Sequence, residues 1–254
     1  MDVNGLVAAI TGGGSGLGAG TARVLAAAGA KVALLDVALD GARAVAEETG
    51  GAAFACDVTD EASMATALDG AAQALGPIRL LVNCAGIAPA ARLVGREGPH
   101  PFALFRKVID VNLNGTFNAV RLAAAAMRNL APLDADGERG VIVMTASVAA
   151  FEGQIGQAAY AASKGGVRAL TIVAARELAS SGIRVVTIAP GTFETPMLAT
   201  ISAEVRASLA QQVPFPSRLG RAEEYGALVK HICENRMLNG ETIRLDGAIR
   251  MGPR

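Results

Sequence analysis

The chain has 254 residues, and its 23 Lys and Arg residues balance its 23 Asp and Glu residues, so the formal net charge is zero. This balance argues against nucleic acid or an anionic membrane as a partner, because both attract a basic surface. No stretch approaches the ~18 uninterrupted apolar residues of a membrane-spanning helix. We also expect no metal centre, since the chain has two histidines and its three cysteines lack the spacing of metal ligands.

The amino-terminal residues predict no secretory signal. Asp2 and Asn4 precede a short apolar run, whereas a signal peptide begins with basic residues and a longer apolar region. We therefore expect a cytoplasmic protein with reduced thiols at Cys56, Cys84 and Cys233. A mitochondrial matrix location stays open if the source is eukaryotic.

Seven short runs, mostly rich in Val, Ile or Leu, alternate with longer amphipathic stretches. Several are apolar at successive positions, which is typical of strands buried on both faces of a parallel sheet. In chain order the predicted strands are Leu6–Thr11, Lys31–Asp36, Ala52–Cys56, Leu80–Asn83, Gly140–Thr145, Ile183–Ala189 and Glu241–Leu245.

The stretches between these strands predict helices, because alanine has the highest helix propensity. They are Leu17–Ala28, Gly41–Thr49, Glu61–Leu75, Phe102–Leu130, Ala158–Ser181 and Glu223–Glu234. The alternation, without a linker or a change of composition, predicts an α/β fold in a single domain over residues 1–254. Its expected architecture is one doubly wound, parallel, seven-stranded sheet with helices on both faces, as in Rossmann folds.

Two Pro- and Gly-rich stretches, Ala88–Pro101 and Gly191–Arg218, predict loops, the second with a weakly helical middle at Ser202–Gln212. Both follow the carboxyl ends of strands, where open α/β sheets bind ligands. They are therefore candidate substrate loops. The alternative is that they are surface loops without a role in binding.

The first predicted strand leads into a glycine-rich turn, Thr11-Gly12-Gly13-Gly14-Ser15-Gly16-Leu17-Gly18, and then into a helix. Glycine lets the backbone approach a pyrophosphate closely, and the helix amino terminus offers free N–H groups and the positive end of its dipole. A glycine cluster alone is weak evidence, but Asp36 ends the second strand about 20 residues further on, where a carboxylate can hold ribose hydroxyls. The pattern predicts dinucleotide binding.

Asp36 also favours NAD over NADP, because a carboxylate would repel a 2′-phosphate and neither Ser15 nor Val37 offers a cation to receive one. The alternative interpretation of Asp36, as a helix cap, is compatible with the same position.

Tyr160 and Lys164 are four residues apart in a predicted helix, so their side chains share one face. An ammonium about 5 Å from a phenol, together with an oxidised nicotinamide, would lower the phenol pKa from about 10 towards neutrality. Tyr160 could then act as general base for an alcohol and general acid for a carbonyl. Ser147 follows the fifth predicted strand, where its hydroxyl could donate to a developing alkoxide. An exposed Tyr–Lys pair and an ordinary loop serine are the alternatives.

Together these residues resemble the short-chain dehydrogenase/reductase family over the full chain. The turn Thr11–Gly18 matches its TGxxxGxG pattern, Asn83-Cys84-Ala85-Gly86 its NxAG turn, Tyr160 and Lys164 its YxxxK motif, and Pro190-Gly191 its PG turn. The resemblance implies that Ser147 orients the substrate, Tyr160 transfers the proton, Lys164 binds the nicotinamide ribose, and Asn112 maintains a water-linked proton path.

Three further segments, Val148–Gln157, Gln212–Gly220 and Leu238–Ala248, resemble one group within that family, the type 2 3-hydroxyacyl-CoA dehydrogenases. This resemblance implies an NAD-linked homotetramer that acts on 3-hydroxyacyl-CoA or on hydroxysteroids, with Gln154 and Gln157 near the acyl chain. It leaves open whether Arg92 and Arg96 receive the phosphates of coenzyme A. The residues that it implies in cofactor binding are Gly12, Ser15, Leu17, Gly18, Asp36, Asp57, Val58, Cys84, Tyr160, Lys164 and Phe193.

The expected function is hydride transfer between NAD and a secondary alcohol or ketone, with a 3-hydroxyacyl-CoA as the first choice of substrate. A dehydrogenase of hydroxysteroids or other small apolar alcohols is the alternative within the same chemistry. A non-catalytic dinucleotide-binding scaffold is the alternative of another class, and a broken reactive set would be its signature.

Overall fold

The computed structural model describes residues 1–196 and 202–253. Within them it has nine strands, two of which form a short hairpin. They are β1 (Val7–Thr11), β2 (Lys31–Asp36), β3 (Ala52–Ala55), β4 (Ile78–Asn83), β5 (Val94–Gly95), β6 (Gly98–Pro99), β7 (Gly140–Thr145), β8 (Ile183–Pro190) and β9 (Thr242–Leu245).

Eight α-helices connect or follow these strands in the described ranges. They are α1 (Gly16–Ala27), α2 (Leu39–Thr49), α3 (Glu61–Leu75), α4 (Phe102–Ile109), α5 (Gly115–Met127), α6 (Ala158–Leu178), α7 (Ala203–Gln211) and α8 (Ala222–Glu234). None of the described helices is long and apolar enough to span a bilayer.

Seven strands form one parallel sheet in the order β3-β2-β1-β4-β7-β8-β9. The chain adds strands outward from β1 to β3 and then returns to the other side of β1 with β4. This reversal opens a crevice at the carboxyl ends of β1 and β4, the place where doubly wound sheets bind ligands. The predicted fold class is confirmed.

The core lies in two layers, one on each face of the sheet. Alternate residues of β1 point to opposite faces: Val7 and Ala9 pack with α3, α5 and α6, whereas Ala8 and Ile10 pack with α1, α2 and α8. Because both faces are covered, the strands are apolar at successive positions, which explains the pattern seen in the sequence.

The segment predicted as the loop Ala88–Pro101 contains an element after all. Val94 pairs with Pro99 and Gly95 with Gly98 in an antiparallel hairpin. Gly98 has a φ of 123°, which glycine adopts readily, and this permits the tight reversal. The prediction of a purely irregular segment was therefore wrong. Each strand of the hairpin has only two residues, which is too short for a periodic pattern to be seen in the sequence.

The helix predicted over Phe102–Leu130 is interrupted. A π-helical turn, Asp110–Asn114, separates α4 from α5, and the helix ends at Met127. The extra residue of such a turn disturbs the backbone hydrogen bonds of the helix, and π-turns are frequent at functional sites. Here the Thr116 hydroxyl donates to the carbonyl of Asn112 at 2.8 Å. The turn thus sets the position of a residue that the sequence had assigned to the site.

Candidate active site

A cleft of about 1550 Å³ lies at the carboxyl ends of the central strands. Its lining comes from the glycine-rich turn, the ends of β2, β4, β7 and β8, and the first two turns of α6. Of the residues selected from the sequence, thirteen line it: Gly12, Ser15, Leu17, Asp36, Asp57, Val58, Cys84, Ser147, Gln154, Gln157, Tyr160, Lys164 and Phe193. Gly18 and Asn112 do not line it.

The glycine-rich turn is too crowded for side chains. Gly12 has a φ of 64°, and a Cβ there would lie 2.8 Å from the backbone nitrogen of Ala85. A Cβ on Gly18 would lie 2.1 Å from the carbonyl oxygen of Gly12. Gly18 therefore lets α1 pack against the turn, which explains why it is buried outside the cleft.

The amino terminus of α1 faces the cleft without a side-chain cap. Ser15 is the N-cap residue in an extended conformation, and its hydroxyl makes no capping hydrogen bond. The first N–H groups of a helix have no partner within the helix. With Ser15, Gly16 and Leu17 lining the cleft, this end suits an anionic group such as a pyrophosphate.

Asp36 closes the turn from the neighbouring strand. One carboxylate oxygen accepts from the backbone N–H of Gly14 at 2.9 Å, and the other accepts from that of Ala38 at 2.9 Å. The N-cap residue of α2 is Ala38, so the interpretation of Asp36 as the cap of this helix is wrong. Asp36 therefore holds the glycine-rich turn in shape while it lines the cleft.

Val58 and Phe193 are buried residues that line the cleft, and Asp57 beside Val58 is exposed. Hydrogen bonds from Thr59 lower the pKa of the Asp57 carboxyl, so that it is charged at neutral pH. Burial raises the pKa of the Cys84 thiol to about 11, so this cysteine is a neutral thiol. Cys84 therefore adds no charge to the cleft, whereas Asp57 adds a negative one.

Tyr160 and Lys164 lie on successive turns of α6 and both line the cleft. The Lys164 ammonium is 5.8 Å from the centre of the Tyr160 ring. Lys164 is buried and donates to the carbonyl oxygen of Thr145 at 2.8 Å. The spacing of four residues thus places the two groups side by side, as the helical pattern predicts.

Burial changes the pKa of Tyr160 in the protein without a bound dinucleotide. Burial raises it above its ordinary value, while a hydrogen bond with Ser147 lowers it. Burial also lowers the pKa of Lys164 to about 8. Desolvation of the two groups therefore dominates their pKa values in the protein without a bound dinucleotide, and the lowered Tyr160 pKa beside an oxidised nicotinamide stays a prediction.

Ser147 follows β7 at its carboxyl end, as expected. It is the N-cap residue of a short 3-10 turn, Val148–Ala150, and its oxygen accepts from the backbone N–H of Ala149 at 3.1 Å. The same hydroxyl is hydrogen-bonded to the phenol of Tyr160, the contact that lowers the Tyr160 pKa, so the two hydroxyls lie together in the cleft.

Asn112 is fully buried in the π-helical turn, behind the cleft wall. Its side-chain oxygen accepts from Ile87 N at 2.8 Å, and its nitrogen donates to Ile87 O at 2.9 Å and to Ser163 Oγ at 3.0 Å. Ser163 Oγ in turn donates to the carbonyl of Tyr160 at 2.7 Å. Asn112 therefore ties the segment after β4 to the first turn of α6.

A buried pair that the sequence analysis missed lies behind Lys164. The Thr145 hydroxyl donates to the carbonyl of Asn83 and is 2.6 Å from the hydroxyl of Tyr225, which is therefore the donor to Thr145. Tyr225 is fully buried on α8. Since the Thr145 carbonyl is also the acceptor for Lys164, this pair fixes the position of that acceptor. Thr145 is a polar residue at the end of an otherwise apolar strand, and this was the feature of the sequence that could have indicated the pair.

The opposite end of the cleft is lined by Gln154, Gln157 and Met251, the last of which the sequence analysis did not select. Arg106 and Lys107 on α4 also line the cleft, whereas Arg92 and Arg96 are exposed and do not. Of the predicted loop 191–218, residues 197–201 lie outside the described part of the chain, and α7 occupies 203–211.

Comparison with known families gives one match that spans most of the chain. A family model described as short chain dehydrogenase matches residues 6–206. This match includes the glycine-rich turn, Ser147, Tyr160 and Lys164.

Two curated relatives, both called 3-hydroxyacyl-CoA dehydrogenase type-2, are 54% identical over 255 residues. One is from Bos taurus and the other from Homo sapiens, and each alignment covers 99% of this chain and 97% of the relative. A crystal structure of 3-hydroxyacyl-CoA dehydrogenase type-2 from Mycobacterium avium superposes with a TM-score of 0.94. It is 45% identical and covers 98% of both chains.

Proposed function

The chain belongs to the short-chain dehydrogenase family and is an oxidoreductase, and on this premise we propose that it interconverts 3-hydroxyacyl-CoA and 3-oxoacyl-CoA with NAD as cofactor. The observation that carries the proposal is the convergence of Ser147, Tyr160 and Lys164 in a cleft that also contains a dinucleotide-type glycine turn. Because all three reactive residues are present in one cleft, a non-catalytic dinucleotide-binding scaffold is disfavoured.

NAD suits the cleft for two reasons. The uncapped amino terminus of α1 offers N–H donors to a pyrophosphate, and the glycine-rich turn beside it lines the cleft with backbone rather than with side chains. Asp36 presents a carboxylate to ribose hydroxyls and would repel a 2′-phosphate. When bound, NAD supplies the acceptor or donor of the hydride.

The side chains of this protein handle the proton. In the direction of reduction, Tyr160 is the general acid that donates its hydroxyl proton to the substrate oxygen as it becomes an alkoxide. Its raised pKa keeps that proton on the phenol at neutral pH. Ser147 donates to the same oxygen with a hydroxyl that Ala149 has oriented. Lys164 holds ribose hydroxyls and places its positive charge beside the phenol when the proton leaves.

Asn112 acts as a positioning residue in this scheme. Its three side-chain hydrogen bonds join the loop after β4 to α6. Asn112 therefore keeps the loop, which lines the cofactor end of the cleft, at a fixed position relative to the first turn of α6, which carries Tyr160. We also propose a water-linked proton path that passes Asn112. This residue lies in the π-helical turn, where the backbone hydrogen bonds of the helix are irregular.

The acyl-CoA half of the proposal rests on the relatives and on the lining of the substrate end. Both curated relatives carry that activity in their names. Arg106 and Lys107 supply positive charge beside the cleft for an anionic substrate, in place of Arg92 and Arg96. A hydroxysteroid or another small apolar alcohol is the second candidate, because Met251 offers an apolar contact at this end of the cleft.

We further propose a homotetramer. Phe117 on α5 and Ile172 and Val173 on α6 are exposed to 51%, 42% and 48%. Three large apolar side chains on neighbouring helices are unusual on a free surface and suit helix packing between copies of the chain. The mass in solution, measured by light scattering, checks this; a monomer at micromolar concentration contradicts it.

The substrate is tested by mixing the enzyme with acetoacetyl-CoA and either NADH or NADPH while the absorbance of the reduced nicotinamide is followed. We expect rapid loss of absorbance with NADH and at least about tenfold lower kcat/KM with NADPH. An oxidised steroid serves as the parallel substrate. Turnover of the steroid without turnover of acetoacetyl-CoA contradicts the acyl-CoA assignment and leaves the oxidoreductase assignment intact.

A further inference from the structure

The segment Ile249–Pro253 passes back over the substrate end of the cleft. It is attached at both ends: Ile249 is buried, with 1% of its surface exposed, and the carbonyl of Pro253 accepts from Ile155 N at 3.0 Å. Between these points, Met251 N donates to the Glu152 carboxylate at 3.2 Å. The segment is therefore docked against the loop that follows Ser147.

The turn that sends the chain in this direction is built by two residues. Gly247 and Ala248 have φ values of 59° and 67°, both left-handed. The Asp246 carboxylate accepts from Ala248 N at 3.0 Å, and the carbonyl of Gly247 accepts from Phe215 N at 3.3 Å. The reversal after β9 is thus held from two sides.

Four charged side chains, which we call the tail clamp, join this segment to the loop: Glu152, Arg244, Asp246 and Arg250. Arg244 donates twice to Glu152, at 2.8 and 3.1 Å, and once to Asp246 at 2.7 Å. It also donates to the carbonyl of Ile249 at 2.9 Å. Arg250 lies 3.5 Å from Glu152 and 3.3 Å from Asp246.

The geometry of the tail clamp distinguishes it from an ordinary surface ion pair. Its central side chains are only 19% (Arg244), 27% (Glu152) and 8% (Asp246) exposed. Bidentate, partly buried arginine–carboxylate pairs are stronger and more directional than exposed ones. Two positive and two negative groups leave the cluster neutral, so it suits a positioning role rather than attraction of a charged ligand.

The tail clamp is also connected to the helix that carries the reactive residues. Two guanidinium groups lie over the ring of Phe151, that of Arg168 on α6 at 4.4 Å and that of Arg244 at 4.9 Å from the ring centre. The loop after Ser147, α6 and the segment Ile249–Pro253 are therefore held together at one point.

Met251 is the residue that this arrangement places in the cleft, on the side of Gln154 and Gln157. A methionine side chain is apolar and flexible, so it can pack against an alkyl chain but has no group to bind a charge. Its own backbone N–H donates to Glu152, so this hydrogen bond is one of the contacts that hold the residue at the cleft.

We propose that Met251 is a specificity-determining residue that contacts the acyl chain of the substrate, and that Glu152 is the positioning residue that holds it there through the tail clamp. This proposal rests on the acyl-CoA function proposed above. In this proposal the Met251 side chain limits the length of an unbranched acyl chain. An apolar side chain in a fixed position favours acyl chains that it can contact and excludes those that are too long.

The test compares Met251→Ala and Glu152→Gln with the unsubstituted enzyme, on acetoacetyl-CoA and on 3-oxodecanoyl-CoA. For Met251→Ala we expect the ratio of kcat/KM for the long over the short substrate to rise about tenfold, because the limiting side chain is removed. For Glu152→Gln we expect the same ratio to rise by a smaller factor, about threefold, because Met251 is less firmly held, with kcat on acetoacetyl-CoA and the Kd of NADH within about twofold. Glu152→Asp, which keeps the carboxylate, should bring the ratio most of the way back.

Glu234→Gln is the matched control, because Glu234 is paired with Lys230 on the surface of α8 and does not line the cleft. It should leave all constants unchanged. An unaltered chain-length ratio in Met251→Ala overturns the role of Met251. A parallel loss of kcat and NADH binding in Glu152→Gln overturns the positioning role, because it shows a general disturbance of the fold.

If the acyl-CoA assignment is wrong, the experiment gives a result that can be told apart from a wrong role of Met251. The unsubstituted enzyme would then reduce neither thioester, and the same variants would be compared on two ketones of different bulk, such as an oxosteroid and a cyclic ketone. A ratio unchanged by Met251→Ala on those substrates would still overturn the role of Met251.

Discussion

The two ends of the cleft are built in different ways. The end that suits a dinucleotide consists mainly of backbone: glycines, the uncapped start of α1 and the carboxylate of Asp36, all within residues 11–58. The reacting end consists of side chains from distant parts of the chain, and its Arg244–Glu152 contact joins residues 92 positions apart. A backbone site depends on a local pattern, whereas a side-chain site depends on how several elements pack. The two ends should therefore respond differently to substitution.

The largest expected effect is at the reacting end. Tyr160→Phe should lower kcat about 10³-fold, because it removes the proton that stabilises the alkoxide and leaves the cleft shape intact. NADH binding, followed by fluorescence titration, should stay within about twofold. A nearly normal rate would remove the general acid from the scheme, and loss of NADH binding would show that the two ends are not independent.

Lys164→Met tests the point where the two ends meet. Loss of a charged donor to ribose hydroxyls should weaken NADH binding about 10- to 100-fold. The cofactor-free protein should gain roughly 1–3 kcal/mol of unfolding free energy at pH 7, because a buried ammonium is costly. Lys230→Met, which breaks an exposed ion pair with Glu234, should change neither quantity measurably.

The same lysine gives a pH prediction. Its pKa is about 8 in the folded protein and 10.5 ordinarily, so between these values the unfolded chain binds more protons than the folded one. Stability of the cofactor-free protein should therefore gain a rising contribution from this group from pH 8 to 10.5. Denaturant titrations of the unsubstituted protein and Lys164→Met should converge across this window; a constant difference would contradict the lowered pKa.

Asp36→Ala tests the dinucleotide end. We expect NADH affinity to fall about tenfold and the preference over NADPH to shrink by a similar factor, since the carboxylate both binds ribose and repels a phosphate. Asp40→Ala is the control, because Asp40 is an exposed acid on α2 that pairs with Arg43 and does not line the cleft in the described part of the chain. An unchanged preference in Asp36→Ala would remove its assigned role.

The smallest effect concerns the turn that directs the segment over the cleft. Ala248 has a φ of 67°, which costs a residue with a Cβ roughly 1–2 kcal/mol. Ala248→Gly should raise the free energy of unfolding by up to about 1 kcal/mol, which corresponds to ~2–4 °C in the melting temperature. Ala44→Gly, in the exposed interior of α2, should have the opposite sign. Equal changes in both variants would contradict the left-handed turn.

Much of this protein could be read from local sequence patterns. Successive apolar residues predict buried parallel strands because both faces of the sheet are covered, and the seven strands and their alternation with helices are confirmed. The glycine-rich turn, Asp36 and the Tyr160–Lys164 pair were equally accessible, because each depends on contacts between residues close in the chain or at adjacent strand ends.

Only the tertiary structure decided the rest. It interrupts the long helix at Asp110–Asn114, places Asn112 behind the cleft wall and brings Tyr225 against Thr145. It also raises the pKa of Tyr160 in the protein without a bound dinucleotide, because desolvation depends on everything packed around the phenol. Met251 lines the cleft in a segment that is joined to Glu152, a residue 99 positions earlier in the chain, by a hydrogen bond from its backbone N–H. Periodicity reports the neighbours of a residue along its own helix or strand, and these contacts lie between elements.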